Sequence, residues 1–230
     1  MSASTEPSVL DVIRARHSVR EYRDQPIDPD TFAALQAVVD ECARESGLDI
    51  QVVTDNPEAF QLVARFGLVR GATVHIAFVT DGNAQDEAVG YWGQRIVLAA
   101  QRLGLNTCWV AFIARKKSHA RVPAGKKLRI GIAVGYGKTQ GAPRKTKSVE
   151  ELSATEGDTA PAWFAAAMEA AQLAPTAMNN QHFLITLRSD GRTVNARATK
   201  QGAWDTVDLG IVKRNFEEAA NAVGADWHWE

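Results

Sequence analysis

The chain has only two cysteines, Cys42 and Cys108, each set among apolar neighbours. That excludes a disulfide framework and predicts reduced, buried thiols. No uninterrupted apolar run approaches the ~18 to 20 residues of a membrane span, and Met1 to Pro7 carry no apolar signal core. A cytoplasmic protein without membrane contact is expected. Charge of one sign is also missing, because 26 Lys and Arg offset 27 Asp and Glu to give a net charge of −1. Such a balance gives no whole-chain attraction to nucleic acid, so a small molecule is the expected partner. The five histidines are too scattered for a metal site legible in sequence, and no metal is expected. G-x-G-x-x-G after a strand, G-x-S-x-G and His-Glu-x-x-His are all absent. Gly137-Lys138-Thr139 ends like a phosphate-binding loop, but its leading glycine would fall on Ile132 and Gln140-Gly141-Ala142-Pro143 does not start a helix.

The 230 residues, 45% of them apolar, suffice for one large domain or two interlocked small ones. Helical and strand patterns alternate, which predicts an α+β fold with a central mixed sheet flanked by helices. Asp28-Pro29 starts a helix carrying Phe32, Leu35, Val38, Val39 and Cys42, stopped by Gly47. Asn56-Pro57 starts another with Phe60, Val63 and Phe66. Val74 to Thr80 is β-branched or aromatic enough to read as a buried strand. The longest helix is predicted over 85–103, and strands over 106–113 and 128–136. From Gly137 to Ala160 the composition turns to Gly, Pro, Lys, Ser and Glu without apolar period, so a linker is expected there. It divides the chain into halves at 1–150 and 160–230. The second half opens at Pro161, runs a helix to Ala174, a strand over 182–188, a hairpin at Asp190-Gly191 and a final helix over 205–223. Both halves begin helix, break, strand, at 31–54 and 162–189, an echo that would suit an internal duplication.

Two polar clusters stand out from this pattern. Arg16-His17-Ser18-Val19-Arg20 places two guanidinium groups about a hydroxyl. On pattern alone it fits equally a solvated helix end and a phosphate site, where each charge-assisted bond contributes about 1.5 to 3 kcal/mol. Ala174-Pro175-Thr176-Ala177-Met178-Asn179-Asn180-Gln181 closes a helix with proline and then offers a hydroxyl and amides before a strand. Thr176, Asn179 and Gln181 are expected to aim at something planar and polar. Cys108, between Thr107 and Trp109 on an apolar strand, reads as a packed thiol and not as a nucleophile.

Arg16 to Arg20, followed by Tyr22 and Pro26-Ile27, resembles the R-x-S-x-R-x-F/Y opening of the FMN-dependent nitroreductase family. Leu103-Gly104-Leu105-Asn106-Thr107-Cys108-Trp109 is similar to its L-G-L-G-T-x-W segment, Gly135-Tyr136 through Arg144-Lys145 to its G-Y…R-K close, and Ala174 to Gln181 to its A-P-S-A-x-N-x-Q. The last element follows the R-K close here, which resembles a subgroup with two nitroreductase-like halves in one chain, an internal pseudo-dimer. Asp208-Leu209-Gly210-Ile211 also resembles that subgroup.

By this resemblance Arg16, His17, Ser18 and Arg20 hold the FMN phosphate and ribityl end. Pro175, Thr176, Ala177, Met178, Asn179 and Gln181 border the ring, Trp109 and Val110 offer backbone near it, and Arg144 adds a phosphate contact. The first cluster and the later turn are thus expected to serve one flavin. The implied activity is a ping-pong transfer from NAD(P)H through FMN to a nitroaromatic, quinone or similar small acceptor. No side-chain acid or base is named for it. The chain is expected to act as a monomeric pseudo-dimer or as a homodimer. Two departures stand against the transfer: His182-Phe183 replaces the frequent Pro-Trp, and no acidic P-x-E-G turn follows Trp109. They leave open a non-catalytic FMN-binding or sensing protein.

Overall fold

A computed structural model describes residues 7–157 and 159–230. In chain order the elements are α1 (Val9–Ala15), α2 (Pro29–Ser46), β1 (Asp49–Val53), a 3₁₀ turn (Pro57–Phe60), α3 (Gln61–Arg65), β2 (Val74–Thr80), α4 (Asp86–Arg102), β3 (Asn106–Val110) and β4 (Lys127–Gly135). There follow α5 (Val149–Leu152), β5 (Ser153–Thr155), α6 (Ala162–Gln172), a 3₁₀ turn (Ala177–Asn179), β6 (Phe183–Leu187), β7 (Thr193–Ala198), α7 (Asp205–Ala222) and β8 (His228–Trp229). The α+β class holds, with the strands shared between two four-stranded sheets in place of one. The chain forms two compact units, Arg16–Pro143 and Met1–Ala15 with Arg144–Glu230. The break thus falls inside the expected linker, ahead of the expected end of the first half at 150, and the N-terminal helix belongs with the later residues.

In the Arg16–Pro143 unit the sheet is antiparallel throughout, in the order β1-β2-β4-β3. β2 is buried on both faces, which fits its apolar run from Ile76 to Val79. One face carries Ala77, Val79, Val53, Cys108 and Ala133 into a core completed by Phe60, Val63 and Val69. On the other, Phe78 stacks on Trp109 at 5.9 Å, and both rings press on Gly93 of α4. α2 is capped by Asp28, whose carboxylate accepts from Thr31 N–H at 3.0 Å and from the Tyr136 hydroxyl at 2.8 Å. Those bonds hold its pKa down at about 2. The helix predicted after Pro57 starts as 3₁₀ and is short, and its expected core residue Phe66 is 74% exposed.

In the other unit β6 and β7 form the hairpin expected at Asp190-Gly191, with Asp190 accepting from the N–H groups of Arg192 and Thr193 at 2.9 Å. β5 and β8 add on either side in parallel. The expected linker therefore contains structure: Ser148 and Glu151 make a capping box that starts α5, and the chain leaves α5 directly into β5. A three-residue edge strand needs no apolar period, so composition alone misses it. α6 packs against α7, and the aromatic tail closes that pair, with Trp227 and Trp229 at 5.3 and 5.2 Å from Phe216. Both tryptophans are packing groups of this unit. Among the described residues no helix is long and apolar enough to cross a membrane.

Candidate functional site

The segment from Ser18 to Arg23 is held as a strand by its backbone. Ser18 bridges to Thr107, and the Val19 N–H donates to the Thr107 carbonyl at 3.0 Å. Tyr22 N–H donates to Arg70 O at 3.0 Å, Arg70 N–H to Arg20 O at 2.8 Å, and Lys138 N–H to Glu21 O at 2.8 Å. A backbone tied on both sides fixes the alternation of side chains. Val19 is buried, whereas Ser18 is half-buried and Arg20 exposed, so hydroxyl and guanidinium share one face. Arg16 is only 2% exposed. Burial pushes the Cys108 thiol up, with Arg20 and Arg16 acting against it. The thiol therefore stays protonated near neutrality, as a packed cysteine does.

The loop after β4 folds over this strand. Gly137 N–H donates to Asn106 Oδ1 at 2.8 Å, and Asn106 Nδ2 donates to Gln140 Oε1 at 2.9 Å. Gly137 is therefore a close-approach glycine and not part of a phosphate loop. A Cβ there would lie 2.5 Å from the Thr139 carbonyl oxygen, 2.7 Å from Val19 and 2.8 Å from Asn106. Gly137→Ala should destabilise the protein by about 1–3 kcal/mol through overpacking against backbone, read as a lower urea midpoint. His17 is half-buried beside Gly141, where a Cβ would come within 2.5 Å of its own Cβ.

Trp109 and Val110 are placed differently from a flavin platform. The Trp109 ring lies between Phe78 and Gly93, with its Nε1 donating to Gln94 at 3.4 Å, and Val110 is 4% exposed. Val110 is a core side chain, and the Trp109 ring is packed but half-buried.

The second cluster lies in the other unit. α6 ends at Gln172, two residues before the expected Ala174, and Pro175 is buried. Met178, Asn179 and Gln181 then adopt φ of 54°, 56° and 49°. Left-handed L-residues cost about 1–3 kcal/mol each and persist where the surroundings enforce them. Met178 is 91% exposed. Asn179 Nδ2 donates to the Lys145 carbonyl at 2.7 Å, while its Oδ1 is buried without a hydrogen-bond partner. Thr176 Oγ accepts from Gln181 N–H at 3.1 Å.

Gln181 does not aim outward as expected. Its Oε1 accepts from Lys147 N–H at 2.7 Å and its Nε2 donates to Gln172 O at 3.0 Å, inside a residue 2% exposed. Arg144 likewise turns inward, donating from Nη2 to the Leu173 carbonyl at the end of α6, and its Nε is buried without a partner. Burial pushes its pKa down. His182, which follows the turn, pairs through Nδ1 with Asp205 Oδ1 at 3.1 Å. Phe183 is core at 3% exposure.

Asp208, of α7, belongs to a run already singled out in the sequence, but no role was assigned to it there. It is 7% exposed, and the Ala177 N–H lies 3.0 and 2.9 Å from its two carboxylate oxygens. Burial raises its pKa to about 7, against the Ala177 bond, with a further push from Asp205. An acidic residue in the first helical turn looks like a dipole partner in sequence, so nothing local pointed to a tie with the turn.

The chain belongs to the nitroreductase family: the family model described as "Putative TM nitroreductase" matches residues 8–220. Among curated proteins none matches the chain. A structure called a "putative nitroreductase" from Thermotoga maritima is 19% identical, covering 97% of this chain and 88% of that one at a TM-score of 0.68. A protein of the same description from Desulfovibrio desulfuricans, crystallised with FMN, is 26% identical over 64% of this chain and 96% of its own, at 0.50. One from Parabacteroides distasonis, called a "putative NADH dehydrogenase/NAD(P)H nitroreductase", is 23% identical over 63% and 95%, also at 0.50.

Proposed function

We propose that this chain is an FMN-dependent oxidoreductase that passes electrons from NAD(P)H to a small electron-poor acceptor such as a nitroaromatic or quinone. The observation that carries the reading is the buried Asn179 Oδ1, an acceptor with no donor, in a turn whose backbone is strained into place. A flavin ring edge offers the missing N–H beside carbonyl oxygens. Ser18 and Arg20, on one strand face, with Arg16, supply donors suited to a phosphate, and arginine forks match it bidentately. The family membership and the FMN held by the Desulfovibrio relative support the same cofactor.

When bound, FMN would supply the hydride chemistry; the chain would supply orientation and charge stabilisation. Arg16, Ser18 and Arg20 would bind the phosphate. Asn179 would accept from the ring edge and fix its orientation, and Thr176, Ala177 and the exposed Met178 would border it. Gln181 and Arg144 would act indirectly, Gln181 by tying the turn to the 145–147 segment and Arg144 by closing the end of α6. No side-chain acid or base is assigned.

The test is NAD(P)H oxidation with menadione by FMN-loaded protein against a flavin-free preparation. Turnover that requires FMN is expected. Bound FMN that is never bleached by NADH or NADPH would instead favour a flavin carrier.

A further inference from the structure

The strained turn must be held by something outside itself, because left-handed L-residues persist only where surroundings over-determine them. Within the turn Asn179 N–H donates to Thr176 O at 2.9 Å and Gln181 N–H to Thr176 Oγ at 3.1 Å. Asn179 Nδ2 reaches Lys145 O, on a segment whose residue 145 is exposed. At the head of the turn, the Ala177 N–H sits against both oxygens of Asp208, which belongs to an 18-residue helix packed on α6. Two ties thus reach helices: Gln181 Nε2 donates to the Gln172 carbonyl at the end of α6 at 3.0 Å, at the tail of the turn, and Asp208 of α7 holds its head.

We infer that Asp208 is the positioning residue of this turn: its carboxylate, fixed on α7, holds the Ala177 N–H and so sets where the residues that follow, exposed Met178 and Asn179 with its unanswered acceptor, stand. The inference rests on the FMN reading for its functional meaning. Asparagine would offer an acceptor at the same place without a buried charge, so a carboxylate here is a costly choice. What it adds is a stronger, charge-assisted bond to the amide. Asp208 forms no ion pair among the described residues. Asp205 faces it from the same helix and raises its pKa, and His182, at the head of β6, reaches Asp205. The anchor is thus ionised above neutrality and weakens as the carboxyl takes a proton.

Two readouts test this. In flavin-free protein, the Ala177 amide proton shift should titrate with a midpoint near pH 7, and that titration should vanish in the near-isosteric Asp208→Asn. In wild type, FMN affinity measured by fluorescence titration should fall about tenfold from ~pH 8 to ~pH 6. Asp208→Asn should bind about as weakly at both, and Asp208→Ala, which removes the acceptor, more weakly still. An Ala177 amide that does not titrate, or an Asp208→Ala protein that keeps the wild-type FMN affinity and pH profile, overturns the inference. A titrating Ala177 amide in a wild-type protein that binds no FMN upholds the anchor and removes the flavin reading instead.

Discussion

Replacing Arg16 by alanine should weaken FMN binding about 10- to 150-fold, the loss of one charge-assisted contact worth roughly 1.5–3 kcal/mol. Arg44→Ala should leave it unchanged. Arg44 is exposed near the end of α2 and serves only its helix terminus, whereas Arg16 is 2% exposed and leads into a strand whose backbone is locked from Ser18 onward. Arg16→Lys should be intermediate, since an ammonium keeps the charge but lacks the planar fork. Because a buried residue is being truncated, the unfolding midpoint of the flavin-free variant is measured alongside. Folded Arg16→Ala protein that binds FMN as wild type does would remove the phosphate role.

Asp208→Asn should raise stability at about pH 8 while impairing the site. An aspartate normally ionises near 3.8, but burial holds this one protonated until about 7. In the unfolded chain the proton leaves first, so between about pH 4 and 7 the folded state binds more protons, and its stability falls as pH rises through that window. Below about 4 both states are protonated and no difference remains. The separation corresponds to about 4 kcal/mol at most at high pH. Asparagine carries no such charge, so the variant should lose that slope and be stabilised by about 2–4 kcal/mol at ~pH 8, checked by urea unfolding across pH. Equal pH dependence in both proteins would mean that the carboxylate is solvated. Stability and turn positioning would then be opposed at one residue, as strained functional sites lead one to expect.

Elements whose signals are local were legible. Asp28-Pro29 and Gly47 mark both ends of α2, the β-branched run marks β2 at its observed bounds, and Asp190-Gly191 marks the hairpin. α5 and β5 were hidden by a polar composition, although Ser148-x-x-Glu151 is a capping-box pattern that could have revealed the helix start. The site was legible as residue types and not as roles. Asn179 and Gln181 look alike in sequence, yet one keeps an unanswered acceptor and the other is enclosed by Lys147 and Gln172. That difference arises from contacts 34 and 9 residues away in the chain, which no local pattern encodes. Asp208, 31 residues from the amide it holds, was out of reach for the same reason. The packing of the Trp109 ring over Gly93 of α4 is equally a contact between distant residues.

The most direct test of the central claim is the flavin content of the protein after incubation with FMN and removal of free ligand, read from its visible absorbance. About one FMN per chain is expected, with Arg16→Ala and Asn179→Ala each losing it while remaining folded. A folded wild-type protein that emerges colourless would contradict it.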